Sequence, residues 1–222
     1  MPGYRVKQTT QSVGGHTYRL RVLSDTQQFA DPDGRGAEMG ISSAQWSLFG
    51  QLWPAGRLLA QAVQRFDIAG KRILELGCGI GLASLVLQRR GADIVASDAH
   101  PLPEVFLAYN AALNGLPALH FRRLQWHAPL PTLGRFDAII ASDVLYERGS
   151  AELLDGVIER HALPAAEILL TDPGRGNSNR FSRLAMARGF ALDEERCPMS
   201  DADLPPHRGR ILHYRRRAGA LA

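Results

Sequence analysis

The sequence predicts an α/β fold: a doubly wound, mostly parallel sheet with helices on both faces. Two observations predict it. From residue 71 onward, apolar runs of four to six residues alternate with helical runs of nine to fourteen, the signature of repeated βαβ units. The apolar runs are continuous rather than alternating, as they are in strands covered on both faces by right-handed crossovers.

The elements read off in order. Residues 16–23, "HTYRLRVL", alternate polar and apolar like a half-buried strand. Residues 24–43, with Asp31, Pro32, Asp33, Gly34, Gly36 and Gly40, read as a loop and as a candidate lid. Within 44–66, Leu58, Leu59, Ala62, Val63 and Phe66 form a helical stripe, and Pro54 suits that helix's first turn. Strands follow at 72–76, 93–98, 119–124, 136–143 and 167–172. Helices are expected at 82–90, 102–115, 151–163 and 178–190, with Gly91, Gly115 and Gly189 at or near three of their ends. Residues 191–217 read as two strands around a Pro-rich turn.

At 222 residues the chain suits one domain with a small extension: strands and a loop over 1–43, then the sheet-bearing domain over 44–222. Its 45% hydrophobic and 22% charged residues are those of an ordinary soluble globule. Two cysteines, Cys78 and Cys197, exclude a disulfide framework and favour a reducing compartment. The first residues carry no apolar signal region, and no apolar run approaches the ~18 residues of a membrane span, so a cytoplasmic location is expected. No histidine pair has metal-ligand spacing, so no metal is expected; His100 and His127 read as surface or loop residues. The net charge of +4 is mild. Arg208, Arg210, Arg215, Arg216 and Arg217 could touch nucleic acid, but read first as a solvated basic strand and tail.

The chemistry-bearing stretch is "ILELGCGIGLASLV", residues 73–86. Gly77, Gly79 and Gly81 stand at the carboxyl end of the first strand of the alternating region, where a sharp turn needs positive φ and a ligand needs bare backbone. The spacing G-x-G-x-G is neither the dinucleotide fingerprint nor a phosphate loop, and a plain tight turn would use the same residues. Asp98 closes the next strand near the ~20-residue offset at which an acid meets a ribose, though an acid there also caps helices.

Together, "ELGCGIGL" and Asp98 resemble the seven-strand methyltransferases that bind S-adenosylmethionine (SAM). Three further stretches narrow the resemblance: "QLWPAGRLLA" (51–60), "LQW" (124–126) and "ASDVLYE" (141–147). With "TDPGR" (171–175), they look like the protein lysine methyltransferases of methyltransferase family 16, including the electron-transfer flavoprotein β-subunit branch. The resemblance implies a Rossmann-like, doubly wound, mostly parallel seven-stranded sheet, with 44–222 as the methyltransferase domain. It implies SAM as cofactor and S-adenosylhomocysteine as product. Trp53, Glu75, Gly77, Cys78, Gly79, Gly81, Asp98, Trp126 and Ser142 would form the cofactor site, and Asp143 and Tyr146 would face the transferred methyl. Without the resemblance, Trp53 and Trp126 read equally as core aromatics, Tyr146 as sheet packing and Asp143 as a helix cap.

The chemistry so implied is in-line methyl transfer to a protein lysine amine, with Asp143 as orienting acceptor and Tyr146 as a wall against water. An RNA or small-molecule acceptor is the alternative, because fold never fixes substrate. A nicotinamide oxidoreductase has the wrong glycine spacing against it, and a catalytically dead binding module has the intact Gly77, Gly79, Asp98 and Asp143 against it.

Overall fold

The computed structural model describes residues 4–25, 34–41, 46, 48–174, 177–201 and 204–219. Part of the loop expected over 24–43, and with it part of the candidate lid, lies outside these residues.

A hairpin comes first, β1 (Val6–Val13) against β2 (His16–Leu23), in register from Val6 opposite Leu23 to Val13 opposite His16. On β2 the alternation is realised: Tyr18, Leu20 and Val22 are buried, Thr17 and Arg19 exposed. After a single helical turn, α1 (Arg35–Glu38), come α2 (Pro54–Arg65), β3 (Arg72–Leu76), α3 (Leu82–Arg89), β4 (Asp93–Asp98), α4 (Pro103–Leu113) and β5 (His120–Arg123). Then follow β6 (Phe136–Ser142), α5 (Ser150–His161), β7 (Ala162–Asp172), α6 (Asn177–Ala187) and β8 (Ala191–Arg196). A small antiparallel pair, β9 (Met199–Asp201) and β10 (Leu204–His207), precedes β11 (Arg210–Arg216). That pair occupies the expected Pro-rich turn.

The main sheet has seven strands in the order β5-β4-β3-β6-β7-β11-β8. β5, β4, β3, β6 and β7 are parallel, and β11 runs antiparallel to both β7 and β8. This is the expected Rossmann-like, doubly wound architecture. Successive strand residues face opposite layers. Ile73, Ala138 and Ile140 join the cluster under α2, α3 and the hairpin, while Leu74, Leu76 and Ile139 join the one under α5 and α6. The strand order reverses between β3 and β6, where such sheets leave a crevice beyond their carboxyl ends.

Asn110 on α4 and Asn114, which caps its C-terminus, fasten the hairpin to this frame. The Arg21 amide donates to Asn110 Oδ1 at 2.7 Å, and the Arg19 amide to Asn114 Oδ1 at 2.9 Å. Asn110 is fully buried and donates from Nδ2 to the Ile80 carbonyl at 3.0 Å, so one side chain ties hairpin, helix and glycine turn together.

Two expectations shift. α5 stops at His161 and β7 begins at Ala162, five residues before the apolar run at 167. Pro164 forbids further helix there. The guanidinium of Arg216 gathers the carbonyls of Leu163 and Pro164 at 3.0 and 2.9 Å, holding the segment extended. The basic terminal strand is also less solvated than expected. Arg210 bonds Asp172 and Ser178, and Arg216 donates to three backbone carbonyls and lies over the Phe190 ring.

Candidate active site

The glycine turn begins where β3 ends. Leu76 is buried, and the chain then turns through Gly77, Gly79 and Gly81, all at positive φ. Gly81, at φ 83, caps α3, and a Cβ there would meet Leu107 Cδ1 at 2.2 Å. Gly79, at φ 53, has open space where a Cβ would stand. Gly81 thus lets α3 approach α4, while Gly79 leaves backbone bare toward the crevice.

The acid at the end of β4 holds this turn. Asp98 accepts the Gly79 amide on Oδ2 at 3.0 Å and the His100 amide on Oδ1 at 2.8 Å. Burial holds its pKa above the usual carboxylate value, and the backbone hydrogen bonds offset only part of that rise. Each oxygen keeps lone-pair capacity for a further donor. Behind the turn, Cys78 donates its amide to the Ser97 carbonyl at 2.9 Å, and the Ser97 hydroxyl donates to the Glu75 carbonyl at 2.7 Å.

A cleft of about 550 Å³ opens beyond the carboxyl ends of β3, β4 and β6. It brings together eight of the eleven residues singled out from the sequence: Trp53, Gly77, Gly79, Asp98, Trp126, Ser142, Asp143 and Tyr146. The other three stand behind its wall. Glu75 is buried under the turn and accepts the Ser84 hydroxyl; desolvation lifts its pKa to about 7. Cys78 packs with Ala96 and Leu107, and burial pushes its thiol pKa well up, leaving a poor nucleophile. Gly81 meets Leu107 instead of the cleft.

The structure places the four residues for which alternatives were left open. Trp53 is not a core aromatic. It stands at the N-cap of α2, 38% exposed, with Nε1 donating to the Leu48 carbonyl at 2.9 Å. Trp126 is partly buried on the β6–β7 layer, and its carbonyl accepts from Arg160. Tyr146 is 43% exposed, so it is not sheet packing; desolvation, then the Glu147, Asp98 and Asp143 carboxylates, raise its pKa. Asp143 does not cap α5, whose N-cap is Gly149. It is the one non-glycine residue at positive φ among the described residues, at φ 50, and its amide donates to the Thr171 carbonyl at 2.9 Å. Strain of this kind concentrates at functional sites.

His100, expected on the surface or in a loop, lies in the loop after β4, but its side chain is buried. Its ring stacks on Phe49 with centroids 4.5 Å apart, and Nδ1 accepts the Leu102 amide at 3.2 Å. Its burial depends on Phe49, fifty residues away in the chain, so no local signal reports it. Glu147 and Leu153 also line the cleft. The run "DVLYE" already contained Glu147, and only the turn between β6 and α5 shows which way it faces.

The charge of the cleft is distinctive. Among the described residues its lining holds three carboxylates, Asp98, Asp143 and Glu147, and no lysine or arginine, in a chain of net charge +4. Among the described residues no cluster of metal-ligating side chains occurs, and no helix is long and apolar enough to cross a membrane.

A family model described as lysine methyltransferase matches residues 40–183. The mouse electron transfer flavoprotein beta subunit lysine methyltransferase is 28% identical over 138 residues, covering 60% of this chain and 52% of that protein. The human histone-arginine methyltransferase METTL23 is 35% identical over 103 residues, covering 43% of this chain and 54% of that protein. The chain thus spans about half the length of these curated relatives. Among solved structures, a T. thermophilus 16S rRNA methyltransferase, RsmC, in complex with AdoMet and guanosine, aligns with a TM-score of 0.60 at 16% identity, over 96% of this chain and 51% of that one. A ribosomal protein L11 methylase from Lactobacillus delbrueckii subsp. bulgaricus aligns with a TM-score of 0.56 at 19% identity, over 73% of this chain and 79% of that one. At these identities the structural likeness speaks to fold alone.

Proposed function

The chain belongs to the lysine methyltransferase family, and from that premise we propose that it transfers a methyl group from SAM to the side-chain amine of a protein lysine. The observation that carries the acceptor class is the charge of the cleft: Asp143 and Glu147 stand beside Asp98, and no lysine or arginine is among its described lining residues. An RNA acceptor brings phosphates, whose binding rests on basic side chains. Here the acceptor face suits a cation.

The site fits SAM. Gly79 presents backbone without a Cβ, the Asp98 oxygens retain acceptor capacity for a ribose diol, and Trp53 and Trp126 offer aromatic faces to an adenine or a sulfonium. Gly77 and Ser142 complete the lining that would hold it. When bound, SAM supplies the electrophilic methyl. The protein's own part is alignment and exclusion of water. Glu75, Cys78 and Gly81 act from behind, by shaping the turn.

A lysine amine has a reference pKa of about 10.4, so it arrives protonated. The carboxylates of Asp143 and Glu147 draw the ammonium into the cleft. Its proton passes to solvent at the open mouth of the cleft. Asp143 then accepts a hydrogen bond from the neutral amine and turns its lone pair toward the methyl. The Tyr146 ring walls the slot, and its raised pKa keeps the hydroxyl protonated as a donor.

The test is incubation of a bacterial lysate with the purified protein and methyl-tritiated SAM, with nuclease-treated and protease-treated arms, followed by amino-acid analysis of the label. Methyl-lysine in a protein band that survives nuclease is expected. Label lost to nuclease returns the acceptor to RNA, and methyl-arginine keeps the transfer but moves the acceptor residue.

A further inference from the structure

Seven large apolar side chains stand exposed among the described residues, and four of them gather at the mouth of the cleft. They are Leu48, Trp53, Tyr146 and Leu153, at 38, 38, 43 and 44% exposure. The other three, Val6, Val105 and Met186, lie outside its lining. Single exposed apolar residues are ordinary, but a cluster of them around one opening marks a contact surface.

Leu153 is the informative member. It sits on α5 beside Leu154, which is fully buried and does the packing for that turn. The adjacent Glu152 is exposed and holds Arg180 in an ion pair at 2.8 Å, so the outer side of this turn is otherwise polar. Nothing in the core needs an exposed leucine there. The rim is also held in shape. Trp53 Nε1 is tied to the Leu48 carbonyl at 2.9 Å, and the Glu147 amide donates to Ser150 Oγ at 3.2 Å, fastening the Tyr146–Glu147 turn to α5. Apolar side chains on a fixed rim lose little entropy when a partner covers them.

Inside the rim the charge is negative, with Asp143 and Glu147 in the lining. A partner that fits both is apolar around a single cation. We infer that the acceptor is a protein segment whose target lysine is flanked by apolar side chains. The flanking residues seat on Leu48, Tyr146 and Leu153 while the amine reaches the carboxylates. The inference rests on the lysine reading above and adds its sequence preference. A lysine within an arginine-rich tail would meet the acidic interior but leave the rim uncovered.

The experiment compares short peptides with a central lysine flanked by leucine and phenylalanine, by serine or by arginine, using the wild type and Leu153→Asp. Apolar flanks are expected to raise kcat/KM about tenfold or more over serine flanks, the scale of a few well-placed methylenes. Leu153→Asp is expected to shrink that advantage while its melting temperature and SAM affinity stay at wild-type values. Equal rates for all flanks overturn the inference, as do arginine flanks that outperform apolar ones, or an advantage undiminished in Leu153→Asp. In each of these cases lysine is still methylated and the proposed function stands. Absence of methyl-lysine in every peptide and in lysate protein removes the lysine reading, and this inference with it.

Discussion

The carboxylate of Asp98 accepts the backbone amide of Gly79 at 3.0 Å, joining the end of β4 to the glycine turn that follows β3. A residue expected to face a ligand is therefore also a strut of the site. Asp98→Asn places an amide NH2 opposite one of two backbone donors, Gly79 or His100. One hydrogen bond is lost and a buried donor is left facing a donor, which costs roughly 1–3 kcal/mol. The expected outcome is a lower melting temperature together with SAM binding weakened about tenfold or more, read by thermal unfolding and calorimetry. A variant that melts and binds like the wild type would remove both roles.

The glycines of the turn separate into two kinds, and substitution distinguishes them. Gly81→Ala puts a methyl 2.2 Å from Leu107 Cδ1 at φ 83, so it is expected to destabilise by roughly 1–3 kcal/mol. Gly79→Ala meets nothing within 4 Å and carries only the backbone cost at φ 53, roughly 1–2 kcal/mol. Its methyl projects where the cofactor is proposed to lie, so SAM affinity should fall more than stability does. Parallel melts and binding titrations check this, and equal behaviour of the two variants would count against the assignment.

The parts of the fold legible in the sequence are those set by local pattern. β3, β4, β6 and the helices between them are continuous apolar runs and stripes, and they lie within one or two residues of where those patterns place them. α5 ends two residues before the expected Leu163: Pro164 disfavours helix there, and Arg216, from a strand fifty residues on, holds Leu163 and Pro164 extended. In the site, turn glycines and strand-end acids have fixed places in a βαβ unit, so Gly79, Asp98 and Asp143 fall on the cleft. Glu75 lies one residue back on a strand whose faces alternate, and the pleat turns it under the turn. The burial of His100 and the apolar rim were not legible, because each is made by residues from separate segments.

Glu75 gives the protein an unusual pH dependence. Its pKa in the folded chain is raised to about 7, against 4.5 for an ordinary glutamate, chiefly by desolvation. Between these values the folded state holds a proton that the unfolded state has released. Stability therefore falls as pH rises through this window, by about 3 kcal/mol in all, and levels off above pH 7. Below pH 4.5 both states are protonated and the penalty is absent. Glu75→Gln keeps an acceptor for Ser84 and carries no charge. It is expected to lose this slope and to be more stable than the wild type at pH 8, measured by denaturant unfolding at a series of pH values. Parallel curves for the two proteins would show that Glu75 is ionised at its ordinary pKa.

Asp143 combines backbone strain with a place in the cleft lining, and variants at this position pull the two apart. At φ 50, a side chain with a Cβ costs roughly 1 kcal/mol that glycine avoids, while asparagine tolerates the left-handed region nearly as well as aspartate. Asp143→Gly is expected to fold at least as stably as the wild type, and Asp143→Asn about equally. If the side chain orients the acceptor amine, both variants should lose about tenfold to hundredfold in kcat, with SAM affinity retained. Asp143→Asn retains an acceptor oxygen without the charge. A KM increase shared by both variants reports attraction of the ammonium, and a kcat loss greater in Asp143→Gly reports alignment. Steady-state kinetics with a lysine peptide, melting curves and SAM titrations measure these quantities. Wild-type kcat in Asp143→Gly would mean that Asp143 is neither base nor guide and that its strained backbone serves the loop alone.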